Sequence, residues 1–257
     1  MRVIQFDFPV KEITYKVIGK RKLTLNVFEP ETIGENRTVI LFFNGGSFKK
    51  GLLTPAQFQH QAHYFSSQSI VAICVDYRKG HDEGFTPIQA ISDAKSAVHW
   101  VRSHSIELGV NPNQIVMCGA SAGGYTCVSS IMFEDLKDDQ STDNIPNALV
   151  VFAAGMDGTD IMERLFPELL AKATELSPMH NIKKCLPQTL WMCGTSDELY
   201  EQNKEFVTHM KDKGNDITFI TYEGMGHGFF NYGWHENKPY NETTHRMEEY
   251  LKTIRLT

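Results

Sequence analysis

IVMCGASAGGYTCVSSIM, residues 115–132, changes its periodicity halfway along. Ile115–Cys118 is a continuous apolar run, as expected of a strand covered on both faces, and Gly124–Met132 fits a helix. Only Gly119-Ala-Ser121-Ala-Gly123 lies between them. A strand that runs into a helix over so few residues must turn sharply. The turn forces Ser121 into a strained backbone conformation, and the small residues on either side keep side chains from colliding there. The Ser121 hydroxyl is thereby raised above the sheet edge, near the positive end of the following helix. A GxSxG pattern in this strand–turn–helix setting marks Ser121 as a candidate nucleophile.

Similar alternation extends outward from this stretch. Lys22–Phe28 alternates, with Leu23, Leu25 and Val27 apolar, as a half-buried antiparallel edge strand would. Thr38–Phe43, Ile70–Val75 and Ala148–Phe152 are short apolar runs suited to parallel strands, and Leu190–Cys193 and Ile217–Tyr222 read as later strands of the same sheet. Between them, Ile91, Ala94, Val98 and Val101 form one helical stripe with Asp93, Lys95 and Arg102 off it. Asn111-Pro-Asn113 supplies a turn, Glu201–Lys213 a helix capped by Gly214, and His245–Ile254 a last helix. The expectation is an α/β fold: a mostly parallel, doubly wound sheet flanked by helices on both faces, with ligands at the carboxyl ends of the strands. No repeat, low-complexity tract or linker divides the chain, so 1–257 is expected to form a single domain.

A serine hydroxyl is barely nucleophilic without a base. His227, in Gly226-His-Gly228-Phe229 just after the strand ending at Tyr222, can reach such a hydroxyl and take its proton. Asp197, directly after Leu190–Cys193, is the candidate to orient that imidazole, with Glu198 beside it as the alternative. Asn44-Gly45-Gly46-Ser47-Phe48 follows an early strand, where a glycine-rich loop can aim backbone N–H groups at a developing oxyanion. No GK[ST] follows, so it is not a phosphate loop.

Together these features resemble the esterase/lipase branch of the α/β-hydrolase superfamily, related to hormone-sensitive-lipase-like and carbohydrate-esterase members. The resemblance runs from about Lys11 to Arg255. It rests on NGGSF at 44–48, Asp76-Tyr77-Arg78, the segment from Asp93 to Trp100, GASAG at 119–123, Asp197 and His227. The chain order serine, acid, histidine is that of the superfamily. The resemblance implies ester hydrolysis through an acyl-enzyme, with Ser121, Asp197 and His227 as catalytic residues and Gly46, Ser47 and Ala122 as oxyanion-hole donors. Asn44 stands where the family has His and Ser47 where it has Gly. Little sequence precedes the first strands, which implies little or no cap domain and a shallow site for a small acyl group. The tail from His227 to Tyr240 is similar to bacterial acetylxylan-esterase-like proteins, which points to a polysaccharide deacetylase.

Pocket candidates are Asn44, Phe48, Tyr125, Asp157, Phe229 and Trp234. Gly155–Ala173 is long enough for a short helix near the site, and the aromatic cluster after His227 could stack on a sugar ring. Two rivals remain. A prolyl-oligopeptidase-like serine peptidase uses the same triad but usually carries an extra domain. A non-catalytic binding protein could reuse the same cleft. Haloalkane or epoxide chemistry would need Asp at the elbow, and Ser121 excludes it.

The net charge of −6 gives no basic surplus for nucleic acid or anionic lipid, so a small-molecule or carbohydrate ester is the expected partner. No metal or cofactor motif is present, and nothing in the sequence bears on oligomeric state. The 5 cysteines are odd in number and lack CxxC spacing, and Cys74, Cys118 and Cys193 sit in apolar runs as small hydrophobes. Met1–Val10 lacks a signal-peptide pattern, and no run reaches membrane-span length. The chain as it stands is expected in the cytoplasm, or outside it if a leader had been removed.

Overall fold

The computed structural model describes residues 5–32, 34–49, 53–80, 82–136 and 143–256. In chain order its strands are β1 (Lys11–Ile18), β2 (Arg21–Phe28), β3 (Arg37–Phe43), β4 (Val71–Val75), β5 (Val110–Ala120), β6 (Ala148–Phe152), β7 (Gln188–Gly194) and β8 (Ile217–Tyr222). Its helices are α1 (Gln59–Ser67), α2 (Pro87–Ser103), α3 (Ser105–Leu108), α4 (Ala122–Met132), α5 (Gly158–Leu165), α6 (Tyr200–Asp212) and α7 (Lys238–Thr253). The strands form a single sheet in the order β1-β2-β4-β3-β5-β6-β7-β8. β1 and β2 are antiparallel at one edge, and the strands from β4 to β8 run parallel.

Alternation along the parallel strands sorts their side chains into two cores. Leu41, Met117, Val151 and Trp191 face α2, α4 and α6, while Phe42, Cys118, Val150 and Met192 face α1 and α7. Both faces are covered, and that is why these strands read as continuous apolar runs. Cys74, Cys118, Cys127 and Cys193 are buried, and burial pushes their thiols up, so they behave as inert small hydrophobes.

Several expectations need correction. β1 and α1 have no counterpart in the sequence reading. β1 is an exposed edge with a bulge between Thr14 and Lys16, which breaks the two-residue alternation. α1 is rich in Gln, His and Ser, yet Gln59 and Gln61 are buried, so its polar residues hide its inward face. The turn at Asn111-Pro-Asn113 exists as an Asx turn, with Asn113 N–H donating to Asn111 Oδ1 at 2.8 Å, but it is a loop-out within β5.

Asp93 and Lys95, off the apolar stripe of α2, are buried rather than solvated. Asp93 accepts a bidentate pair of 2.8 Å bonds from Arg78 and lies 2.8 Å from Lys16. The Lys95 ammonium donates to the carbonyls of Phe133 and Glu134, just past the end of α4, where cations complement the helix dipole. A charge in the interior persists only where such partners exist.

The elbow has the geometry its sequence requires. Ser121 has φ 52° and ψ −120°, a strained conformation for a residue with a side chain. At Gly119 an added Cβ would strike the backbone of Gly123, and at Gly123 it would strike the carbonyls of Phe43 and Asn44. Backbone atoms cannot step aside as a flexible side chain can. Gly123→Ala should therefore lower unfolding stability by about 1–3 kcal/mol or more. Urea denaturation reads this, and a wild-type midpoint would show that the close approach is not maintained.

Candidate active site

Four loops meet at the carboxyl ends of the parallel strands. Ser121 leaves β5, residues 44–48 leave β3, Asp197 follows β7 and His227 follows β8. Because β7 and β8 are paired, the acid and histidine loops start side by side. They are then stitched together by Thr195 N–H to Tyr222 O (2.9 Å), Ser196 N–H to Met225 O (3.0 Å) and Gly224 N–H to Thr195 Oγ1 (2.8 Å).

The Asp197 side chain is fully buried and divided between two donors. Its Oδ2 lies 2.8 Å from His227 Nδ1, and its Oδ1 accepts the Leu199 N–H at 2.9 Å. A buried carboxylate on Nδ1 fixes the tautomer and leaves Nε2 free to accept a proton. The hydrogen bond to Asp197 raises the His227 pKa above the ordinary 6.5, and partial burial opposes it. Glu198, the alternative acid, makes no hydrogen bond to His227 among the described residues and instead lines the cavity.

Ser121 and His227 open onto the same cavity of about 190 Å³. Among the described residues no hydrogen bond joins them directly, and catalytic bonds of this kind tighten around substrate. Ser47, Phe48, Ala122 and Tyr125 also line the cavity, together with Lys49, Gly155, Ile161, Arg164, Leu165 and Leu199.

The loop after β3 is held from several directions. Gly45 packs against the elbow, where an added Cβ would lie 3.2 Å from Ser121 Cβ. Its N–H is committed to Gln57 Oε1 at 2.7 Å. The amides of Gly46, Ser47 and Ala122 donate to no acceptor among the described residues, which leaves them available to an oxyanion. Gly46 does not itself line the cavity, whereas Ser47 and Ala122 do. Ser47 (φ 51°) and Phe48 (φ 59°) are both left-handed, a costly pair for residues with side chains. Phe48 O is pinned by Gly80 N–H at 2.7 Å, and Asn44 O by the Tyr77 hydroxyl at 2.6 Å.

Asn44 does not line the pocket. It is fully buried, and its Oδ1 accepts from Lys79 Nζ at 3.1 Å. Burial lowers the Lys79 pKa to about 8, against the attraction of Asp76. Asn44 thus acts as a strut under the loop.

Three other pocket expectations fail. Asp157 caps α5 by accepting the Thr159 N–H at 2.8 Å. Phe229 is buried against Tyr222 and Phe230 in the core under α1 and α7. Trp234 is 39% exposed and lies off the cavity. The chain after His227 folds back onto the sheet, where Phe229 and Phe230 pack into the core, while Tyr232 and Trp234 stay exposed away from the cavity. The short helix expected near the site does form as α5, and Ile161, Arg164 and Leu165 are its residues that face the cavity. The i, i+4 spacing of Ile161 and Leu165 is the sequence signal that could have found that face. Arg164 pairs with Asp160 at 2.6 Å along the helix. Among the described residues no group of three His, Cys, Asp or Glu side chains could hold a metal, and no helix is long and apolar enough to cross a membrane.

This is the constellation of a serine hydrolase on an α/β sheet, and comparison with known proteins agrees. A BD-FAE family model matches residues 25–144, and an alpha/beta hydrolase fold model matches 134–231. The apo form of Thermogutta terrifontis esterase 2 is 33% identical with a TM-score of 0.88, covering 96% of this chain and 95% of that one. The same esterase with butyrate bound is 32% identical with a TM-score of 0.87, at the same coverage. Carboxylesterase NlhH of Mycobacterium tuberculosis is 30% identical over 132 residues, 51% of this chain and 40% of its own length. The chain belongs to the α/β-hydrolase fold family. It spans less than half the length of curated relatives such as NlhH.

A base must be neutral to accept a proton, and His227 becomes protonated as pH falls through its raised pKa. Activity should accordingly be lost on the acid side with a kcat/KM midpoint above 6.5. Asp197→Asn should move that midpoint down and lower kcat by about 10⁴-fold. A wild-type midpoint below 6.5 would contradict the pairing.

Proposed function

We propose that the protein is a serine esterase that hydrolyses short-chain carboxylic esters through an acyl-enzyme. The observation that carries this reading is the opening of Ser121, His227, Ser47 and Ala122 onto one small cavity, with Asp197 bonded behind the histidine. Ser121 Oγ attacks the ester carbonyl while His227 Nε2 takes the hydroxyl proton. Negative charge gathers on the carbonyl oxygen, beside the Ser47 and Ala122 amides. The tetrahedral species collapses, the acyl–oxygen bond breaks, and His227 returns the proton to the departing alcohol. Water then attacks the acyl-serine by the same route, releasing the acid and restoring Ser121.

Acyl length follows from size. At about 30 Å³ for each water-sized group, the cavity of about 190 Å³ holds about six such groups. That suits acetyl to butyryl and leaves most of a full fatty chain outside the cavity. The butyrate-bound structure of the similar Thermogutta terrifontis esterase 2 supports the same range. Lys49, Arg164 and Glu198 line the cavity among its apolar residues, which favours a polar leaving group. An acetylated carbohydrate is our first candidate. Its support is this polar lining and the resemblance of the tail, since none of the aromatics after His227 lines the cavity.

Ser121→Ala should reduce hydrolysis of p-nitrophenyl acetate by about 10⁵-fold or more with the fold intact. Across an acyl series the wild type should cleave butyrate faster than palmitate, and acetylated xylan should release acetate. Retained activity in the serine variant would sink the mechanism, and a preference for palmitate would sink the size argument. Failure on xylan alone would remove only the carbohydrate reading.

A further inference from the structure

Gln57 and Asn231 lie outside the catalytic groups, 174 residues apart, yet they join two of the loops that build the site. Gln57 sits in the helical turn Pro55–Phe58 ahead of α1 and is buried, while Asn231 follows the histidine loop and is partly buried. Gln57 Oε1 accepts the Gly45 N–H at 2.7 Å, and Gln57 Nε2 donates to Asn231 Oδ1 at 3.0 Å. Asn231 Nδ2 then donates to Gly228 O at 2.7 Å, one residue beyond His227.

The direction of this chain is fixed at both ends. A backbone N–H can only donate and a backbone carbonyl can only accept, so each carboxamide has a single orientation that satisfies its neighbours. Turning either one sets donor against donor or acceptor against acceptor. Aligned bonds of this kind polarise one another and resist displacement.

We propose that Gln57 and Asn231 form a positioning relay that holds the Gly45–Ser47 loop and His227 in register on either side of Ser121. This rests on the esterase reading of the site. Neither residue lines the cavity, so neither contacts the reacting atoms. The relay acts through geometry: it spends the Gly45 amide on scaffolding, leaving the later amides of the loop for the oxyanion, and it fixes the backbone next to the base. In a preorganised site a misplacement of about 1 Å costs about 10²-fold in rate.

The test compares Asn231→Ala, Gln57→Glu and the double variant. Gln57→Glu keeps the acceptor for Gly45 at the same size but cannot donate to Asn231. Asn231→Ala cuts the relay in a partly exposed loop, so it keeps the test open if the buried substitution fails to fold. With p-nitrophenyl acetate well below the melting temperature, each single variant should lose about 10- to 100-fold in kcat, with KM changed by less than about 3-fold. The double variant should be no slower than the slower single, because both break one chain. Single variants that fold and keep kcat within about 2-fold of wild type would overturn the relay, and so would losses that multiply in the double variant. Phosphorylation of wild-type Ser121 by paraoxon separates the two readings. If wild type is not labelled, the esterase reading fails; if it is labelled and the variants match its kcat, only the relay fails.

Discussion

Between the first turn of α4 and the carbonyls of Phe43 and Asn44 there is no room for a Cβ. That contact brings the end of β3 against the end of β5, and the rest of the site depends on it. It sets the glycine-rich loop beside Ser121, so that Gly45 touches the elbow and Ser47 and Ala122 face one cavity. Two glycines make the approach possible, and the positive φ of Ser121 is the strain that accompanies it.

A loop with two successive left-handed residues does not hold itself. The restraints come from the segment after β4 and from the helical turn ahead of α1: the Tyr77 hydroxyl, the Lys79 ammonium and the Gly80 amide on one side, and Gln57 on the other. Arg78, within the same segment, is locked by its bidentate pair with the fully buried Asp93. Losing one member of such a pair leaves an uncompensated interior charge, typically costing about 3–5 kcal/mol. Stability and catalytic geometry are therefore coupled through Tyr77–Gly80 and Asp93. Asn44, which departs from the family pattern, fits this scheme because its carboxamide meets Lys79 underneath the loop.

Much of this was legible in the sequence, and what was missed has physical causes. Apolar runs located the seven strands from β2 to β8, and chemistry placed at their carboxyl ends singled out Ser121, Asp197 and His227, which the fold brings to one end of the sheet. The bulged β1 and the Gln- and His-rich α1 escaped because their burial does not follow apolar periodicity. Phe229 and Trp234 were misplaced because an aromatic run after a histidine reads alike whether it lines a cleft, folds back into a core as Phe229 does, or stands on the surface as Trp234 does. Gln57 and Asn231 carried no signal, since a hydrogen bond between residues so far apart in the chain leaves no local pattern.

The central claim is that Ser121 is a nucleophile activated by its setting. Intact-mass and peptide mass spectrometry after treatment with paraoxon tests it most directly. Attack by Ser121 Oγ on phosphorus expels p-nitrophenolate, and the protein should gain one diethylphosphoryl group, confined to the peptide bearing Ser121, as ester hydrolysis is lost. Hydrolysis that survives without labelling, or label on another residue, would contradict the account.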